Sequence, residues 1–422
     1  MRPASLDAWL DWQQRLHPLA MHFGLERVAS VWSRMGPRTL PFPVVTIAGT
    51  NGKGSCGAML EAIYRAAGFR TAWYSSPHLV RYNERIRLNG REVDDAALCA
   101  AFDRVETARG EVALTYFEFG TLAALDVFVH AAPEVAILEV GLGGRLDAVN
   151  LIDADVAVVT TIARDHTAWL GESLDQIAFE KAGIFRPGRP AVIGHRSPRE
   201  SLLERATALG CGLYVLGRDF DWDRDGAAWC WSGPGLARFG LPTPALRGQF
   251  QYDNASAALM AVSRLAQRLP VAAAGLRLGL HRARIPGRFQ VLPGDVTWVL
   301  DVAHNAQAAE ALASNLTSFQ PRGRVHAVLG VLRDKDPALI ARPLGSQVHS
   351  WHLGQSADQR ALPTAELRAA LRDVDIGPDV REYAAIEGAL EGAEQAARPG
   401  DTVLVFGSFT TVEAALRRTR KG

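Results

Sequence analysis

The stretch 48–55, AGTNGKGS, holds three kinds of residue suited to gripping a phosphate group. Lys53 carries a compact positive charge, Ser55 a hydroxyl, and Gly49, Gly52 and Gly54 let backbone N–H groups turn toward an anion. The commonest phosphate loop is spelled G-x-x-x-x-G-K-[ST]. Here Ile47 stands where the first glycine of that pattern would fall, and Gly54 separates Lys53 from Ser55. A glycine-rich turn with a solvated lysine would share these letters. Its position between an apolar run and a helical pattern favours a nucleotide site, with Lys53 on the outer phosphates and Ser55 on Mg²⁺.

Other polar residues fall directly after apolar runs, where open α/β sheets bind their ligands. Ser75-Ser76-Pro77-His78 is one such group, and Glu139 ends the run AILE. A carboxylate there is costly unless it is paired or binds a cation, which favours metal ligation over a solvent-facing strand end. Taken alone, His166 in ARDHTAWLG reads as an ordinary hydrogen-bonded histidine, and Lys181 beside Glu180 as a surface lysine. The loop EVGLGGRLDAVN (139–150), with Arg145, Asp147 and Asn150, separates two strong strands and reads as functional rather than as a plain polar turn. Arg288, Asp301 and His304 surround a later apolar run, and Asn305 stands where it would cap an alanine-rich helix.

The elements that must position these residues alternate along the chain. Apolar runs at 43–49, 70–76, 134–141 and 155–162 read as buried strands, with helical patterns at 55–68, from Asp94–Asp95 through 110, from Tyr116 onward and over 173–185. Asn89-Gly90 predicts a hairpin within 85–93. Residues 217–247 break the rhythm as an irregular β insertion, and 251–266 resume as a helix. A second strand–helix series runs through 296–304, 324–332, 348–354 and 401–408, after an Arg-, Pro- and Gly-rich hinge at 281–295. Near-continuous apolar strands separated by helices imply α/β architecture with parallel sheets covered on both faces.

The length of 422 residues suits two such domains. A net charge of +1 offers no surface for nucleic acid, and no stretch is long and apolar enough for a membrane span. Cys56, Cys99, Cys211 and Cys230 form no C-x-x-C pair, which argues against a zinc site or disulfide framework. The N-terminal segment carries charges inside its apolar run and lacks a signal-peptide core, so the chain reads as cytoplasmic.

Taken in order, GLERVASV, AGTNGKGS, YSSPHLVRYNERI, FEFGTLAAL, ILEVGLGGRLDAVN, DHTAWLG, EKAGIFR, PGRFQ, DVAHN, LRDKDP and FGSFTTVEAAL resemble the folylpolyglutamate synthase and dihydrofolate synthase family within the Mur ligases. That family spells its loop G-T-N-G-K-G-[ST]. The resemblance implies an N-terminal P-loop-type parallel-sheet ATPase domain over 1–286, binding ATP and the pterin. It also implies a smaller C-terminal Rossmann-like α/β glutamate ligase domain over 287–422. Gly52, Lys53, Gly54 and Ser55 would hold the ATP phosphates, with Asn254, Arg288 and Asp301 as further nucleotide contacts. Ser76 and Glu139, with Ser55 close by, would bind a first Mg²⁺, and Glu139 and His166 a second. Lys181 matches a lysine that the family carries as a CO₂-derived carbamate, an anionic oxygen ligand. The pterin end of the substrate would lie near Thr115, Tyr116, Phe117 and Glu118 and near Leu146, Asp147 and Ala148. His304 would lie near the glutamate, although Ala306 stands where the family usually has proline.

The implied chemistry begins with attack of a substrate carboxylate on the γ-phosphate of ATP. Glutamate's amine then displaces phosphate from the acyl phosphate. The expected substrates are dihydropteroate, reduced folates, L-glutamate and ATP, handled by a monomeric enzyme. Folylpolyglutamate synthase activity alone is the nearest alternative. A cell-wall Mur ligase is disfavoured because its hydroxyl residue follows the lysine directly. A nucleotide switch is disfavoured because no N-K-x-D motif is present.

Overall fold

The apolar run Val44–Ala48 (β1) is buried along its whole length, as a strand covered on both faces must be. The computed structural model describes residues 2–19, 22–36, 40–226 and 228–419. Two compact units emerge from the contacts. The first takes residues up to 78 with 82–245 and 251–284, and the second takes 79–81, 246–250 and 285 onward.

In the first unit, β1 is joined by Thr71–Tyr74 (β2), Ile86–Leu88 (β3), Arg91–Glu92 (β4), Val135–Glu139 (β5), Val156–Val159 (β6), Pro190–Ile193 (β7) and Gly212–Val215 (β8). Their order is β4-β3-β2-β5-β1-β6-β7-β8. All neighbours from β2 to β8 are parallel, and β3 and β4 add an antiparallel edge through the expected hairpin, in which Asn89 and Gly90 both take positive φ. Strand order reverses around β1, so its C-terminal end is the switch point at which such sheets bind ligands. The insertion forms a separate antiparallel sheet of Asp221–Asp225 (β9), Ala228–Gly233 (β10) and Leu236–Pro242 (β11).

The second unit holds a six-stranded sheet of Gln290–Leu292 (β12), Thr297–Leu300 (β13), Val325–Leu329 (β14), Ser350–Gly354 (β15), Val380–Tyr383 (β16) and Thr402–Phe406 (β17). Its order is β12-β13-β17-β14-β15-β16, parallel except at β12. No helix of the described residues is long and apolar enough to cross a membrane.

Several elements depart from the sequence-based reading. Helices Leu6–Gln14 and Glu26–Met35 send Trp9, Val31 and Trp32 into the first core. β7, β8 and β16 were also not anticipated, because each is only four residues long and is flanked by Pro, Gly or charged residues. The segment read as a hinge contains the end of helix Ala273–Arg282 and all of β12.

The second sheet encloses a polar chain that no catalytic argument requires. Asp401 Oδ2 lies 3.2 Å from His326 Nε2, His326 Nδ1 lies 2.8 Å from Ser350 Oγ, and Ser350 Oγ lies 3.1 Å from His352 Nε2. Tyr383 OH closes the chain 3.1 Å from His352 Nδ1. Burial, followed by the charges of Arg381 and His326, pulls the His352 imidazole down to about 4. The folded chain therefore takes up this proton less readily than the unfolded one, whose histidine titrates near 6.5. Stability should hold above that value and fall by about 2 kcal/mol between pH 7 and pH 4.5. Denaturant unfolding at both pH values checks this. His352→Asn should be less stable at pH 7 but lose less on acidification, and an unchanged pH slope would count against the assignment.

Candidate active site

The phosphate loop leaves β1 and enters helix Lys53–Ala66, whose first N–H groups lack intrahelical acceptors. The end of β6 pins it: Thr50 N donates to Thr161 O at 2.7 Å, and Thr160 Oγ1 donates to Asn51 O at the same distance. Gly52 takes φ +90°, and a Cβ there would run into Asn254 Oδ1, so both conformation and space require glycine. Helix Phe250–Arg264 brings Asn254 to this point from far along the chain.

Lys53 Nζ donates to Gly49 O at 3.0 Å and to Thr50 O at 3.2 Å, and Lys181 Nζ reaches the same Gly49 O at 3.0 Å. Lys181 is only 4% exposed, so the surface position expected from its neighbourhood is wrong. Its helix, Leu174–Ala182, abuts the glycine-rich loop, where Arg145 N donates to Glu180 O at 2.8 Å. A Cβ on Gly144 would lie 2.8 Å from Glu180 O, so only glycine lets the loop approach this closely. Burial, then the charge of Lys53, lowers the Lys181 amine to about 7, against the pull of Asp165 and Asp147.

Glu139 closes β5 and is buried, in register with Ile47 of β1. Its charge adds to the burial that pushes the Cys56 thiol up to about 12. Ser76 is half-buried two residues past the end of β2, which neighbours β5, so Ser76, Glu139 and the loop occupy one edge of the sheet. Ser55 is buried, and its Oγ accepts from Gln251 Nε2 at 3.3 Å. His166 is half-buried, in the left-handed region at φ 51° before the short helix Thr167–Leu170, with its backbone N–H on Asp165 Oδ1 at 2.8 Å.

The residues expected near a pterin gather beside this edge. Thr115 and Glu118 form a capping box on helix Tyr116–Ala131, and Arg27 pairs with Glu118 at 2.8 Å. Tyr116 and Phe117 are half-buried, and Phe117 packs on Tyr74 with ring centroids 6.0 Å apart. Arg85 lies over Tyr82 and Tyr116, with Nε on His78 Nδ1 at 2.8 Å. Leu146 is half-buried, and Asp147 and Ala148 are buried. Asp147 accepts from Leu142 N at 2.8 Å and Val149 N at 3.0 Å, and burial raises its carboxyl to about 6.

In the second unit, Asp301 accepts from Phe289 N and Ala303 N, each at 2.8 Å. Burial raises its carboxyl, and Arg288 opposes the rise. Arg288 sits 5.8 Å above the Phe409 ring, and His304 packs on that ring from the same distance. Asn305 caps helix Ala306–Phe319 through Ala308 N, as its position suggested.

Gln251, Asp165, Arg85 and the Thr160–Thr161 pair were missed. Asp165 adjoins His166 in the sequence and could have been suspected. The others become relevant only through contacts across the fold.

Among the described residues, no three His, Cys, Asp or Glu side chains form a metal cage. The donors at the sheet edge fit a different kind of site, in which a hard cation takes one or two carboxylates, a hydroxyl and substrate phosphates. An ammonium at Lys181 would repel such a cation, whereas a carboxylated amine would ligate it.

Residues 47–223 match the Mur ligase middle domain, and residues 287–409 match the Mur ligase glutamate ligase domain. The dihydrofolate synthase/folylpolyglutamate synthase of Escherichia coli (strain K12) is 42% identical, with 97% of this chain and 94% of that protein covered. The structure of E. coli FolC in complex with DHPP and ADP superposes with a TM-score of 0.92, at 41% identity and 99% coverage of both chains. A bifunctional folylpolyglutamate synthase/dihydrofolate synthase with Mn, AMPPNP and L-glutamate bound gives a TM-score of 0.90, at 40% identity, covering 99% of this chain and 98% of that one.

Proposed function

Because this chain belongs to the dihydrofolate synthase/folylpolyglutamate synthase family of Mur ligases, we propose the following route for its residues. The chain is an ATP-dependent ligase that adds L-glutamate to dihydropteroate, forming dihydrofolate, and to reduced folates, forming folylpolyglutamates. The observation that carries both activities is the end-to-end identity with a relative named for both, which favours this reading over folylpolyglutamate synthase alone. ATP and a divalent cation are its co-substrate and metal.

The phosphates rest on Gly52, Lys53, Gly54 and Ser55, with Asn254, Arg288 and Asp301 as the other nucleotide contacts. Ser55, Ser76, Glu139 and His166 hold Mg²⁺ at two sites, together with Lys181 carried as its carbamate. The cation's contribution is to neutralise charge on the transferring phosphoryl group. Lys53 adds a fixed positive charge to the same oxygens as the substrate carboxylate attacks the γ-phosphorus. Thr115 to Glu118 and Leu146 to Ala148 bind the pterin end, aiming that carboxylate at ATP. His304 lies by the incoming glutamate, whose amine attacks the acyl carbon and expels phosphate. Carbamate formation requires an uncharged amine that bonds to CO₂ and gives up one proton, and the buried Lys181 is suited to this. The working unit is a cytoplasmic monomer.

Incubation of the purified protein with dihydropteroate, ATP, Mg²⁺ and glutamate should yield dihydrofolate, and tetrahydrofolate should gain glutamates under the same conditions. Accumulation of glutamylated tetrahydrofolate without any dihydrofolate would overturn the two-activity reading.

A further inference from the structure

Gln251 is 1% exposed in the first turn of helix Phe250–Arg264 and faces the phosphate loop. Its Oε1 accepts from Asn254 Nδ2 at 3.0 Å, and its Nε2 donates to Ser55 Oγ at 3.3 Å. The three side chains form a relay with one polarity, Asn254 to Gln251 to Ser55. The turn that carries Gln251 is itself anchored. Tyr252 stacks on Trp222 of β9 with centroids 4.8 Å apart, and Trp222 Nε1 donates to Asp253 Oδ1 at 2.7 Å.

A serine hydroxyl has one hydrogen and two acceptor lone pairs. Because Gln251 Oε1 is committed to Asn254, Gln251 presents its N–H to Ser55 and occupies one lone pair of Oγ. The other lone pair and the O–H hydrogen then face away from Gln251, the lone pair available to a cation and the hydrogen to a phosphate oxygen. We propose that Gln251 is a positioning residue of the ATP site, orienting the Ser55 hydroxyl as a ligand of the divalent cation and tying it to Asn254. The inference rests on the reading of Ser55 as a cation ligand.

The test compares AMPPNP affinity with Mn²⁺ and in EDTA, by calorimetry, for wild type, Gln251→Met, Ser55→Ala and the double variant. Gln251→Met should weaken Mn²⁺–AMPPNP about 10-fold and leave metal-free AMPPNP within about twofold, because the amide acts through the cation ligand. In the Ser55→Ala background the same substitution should have no further effect. Equal weakening with and without metal, or full additivity with Ser55→Ala, would overturn the proposal. If Ser55→Ala alone leaves metal-dependent affinity unchanged, the reading of Ser55 fails and the proposal with it, an outcome distinct from failure of Gln251 alone. Should Gln251→Met not fold, Gln251→Glu keeps the shape and the bond from Asn254 but makes Ser55 the donor. Metal-free AMPPNP should then bind about 10-fold more weakly, since the phosphate loses that O–H and meets a carboxylate; wild-type affinity would sink the proposal.

Discussion

Replacing Lys53 by alanine should lower ATP turnover by about 10³-fold or more with either dihydropteroate or a reduced folate. The expected loss is large because catalysis of phosphoryl transfer is mostly charge placement, and the Lys53 ammonium sits on the loop that β1 and β6 hold rigid. Folding should be nearly unaffected. Lys53 Nζ donates to backbone carbonyls of its own loop, and its removal relieves repulsion with Lys181. The thermal midpoint should therefore stay within a few degrees, equivalent to about 1 kcal/mol or less. Lys53→Arg should not restore activity, since a planar fork cannot replace a compact ammonium on a glycine-lined loop. Retained turnover in Lys53→Ala would mean that the phosphates lie elsewhere.

What could be read from the sequence follows from how local each cause is. β1, β5 and β6 were legible because strands buried on both faces must be apolar along nearly their whole length, and the Asn89-Gly90 hairpin because its backbone demands those residues. The loop and the placement of Glu139, Asp301 and His304 at strand ends follow from the same alternation of elements. Lys181 shows where local reading stops. Its own helix offers Glu180 and Lys181 side by side, a pattern that usually faces water. Gly144 and Arg145, some thirty-five residues earlier, pack against that helix end, and the lysine reaches inward to Gly49 O. Gln251 is a similar case, since nothing within its own helix signals that Ser55 will be its partner. The resemblance to a family supplied a role for Lys181, and the fold supplies the burial that makes that role chemically workable.

Lys181→Met should cost about 10²–10³-fold in turnover with both folate substrates, as expected from several kcal/mol of lost charge stabilisation at the phosphoryl group. Lys53 Nζ and Lys181 Nζ each lie 3.0 Å from Gly49 O, which puts them within about 6 Å of each other. Two full positive charges at that separation repel by about 3 kcal/mol at an effective dielectric constant of 20. A cation brought to Glu139 and Ser55 would make an ammonium at Lys181 less tenable still. Loss of a proton removes the repulsion, and addition of CO₂ reverses its sign, turning Lys181 into an anion that can face both Lys53 and the metal. The wild-type enzyme should consequently lose turnover when CO₂ is stripped from the buffer and regain it when bicarbonate returns. Lys181→Met should keep its reduced turnover at every bicarbonate concentration. Carbon-13 NMR with labelled bicarbonate should give a carbamate signal in the wild type that Lys181→Met lacks. A fully active wild-type sample that neither responds to CO₂ nor takes up the label would leave Lys181 an unmodified amine and remove it from the set of metal ligands.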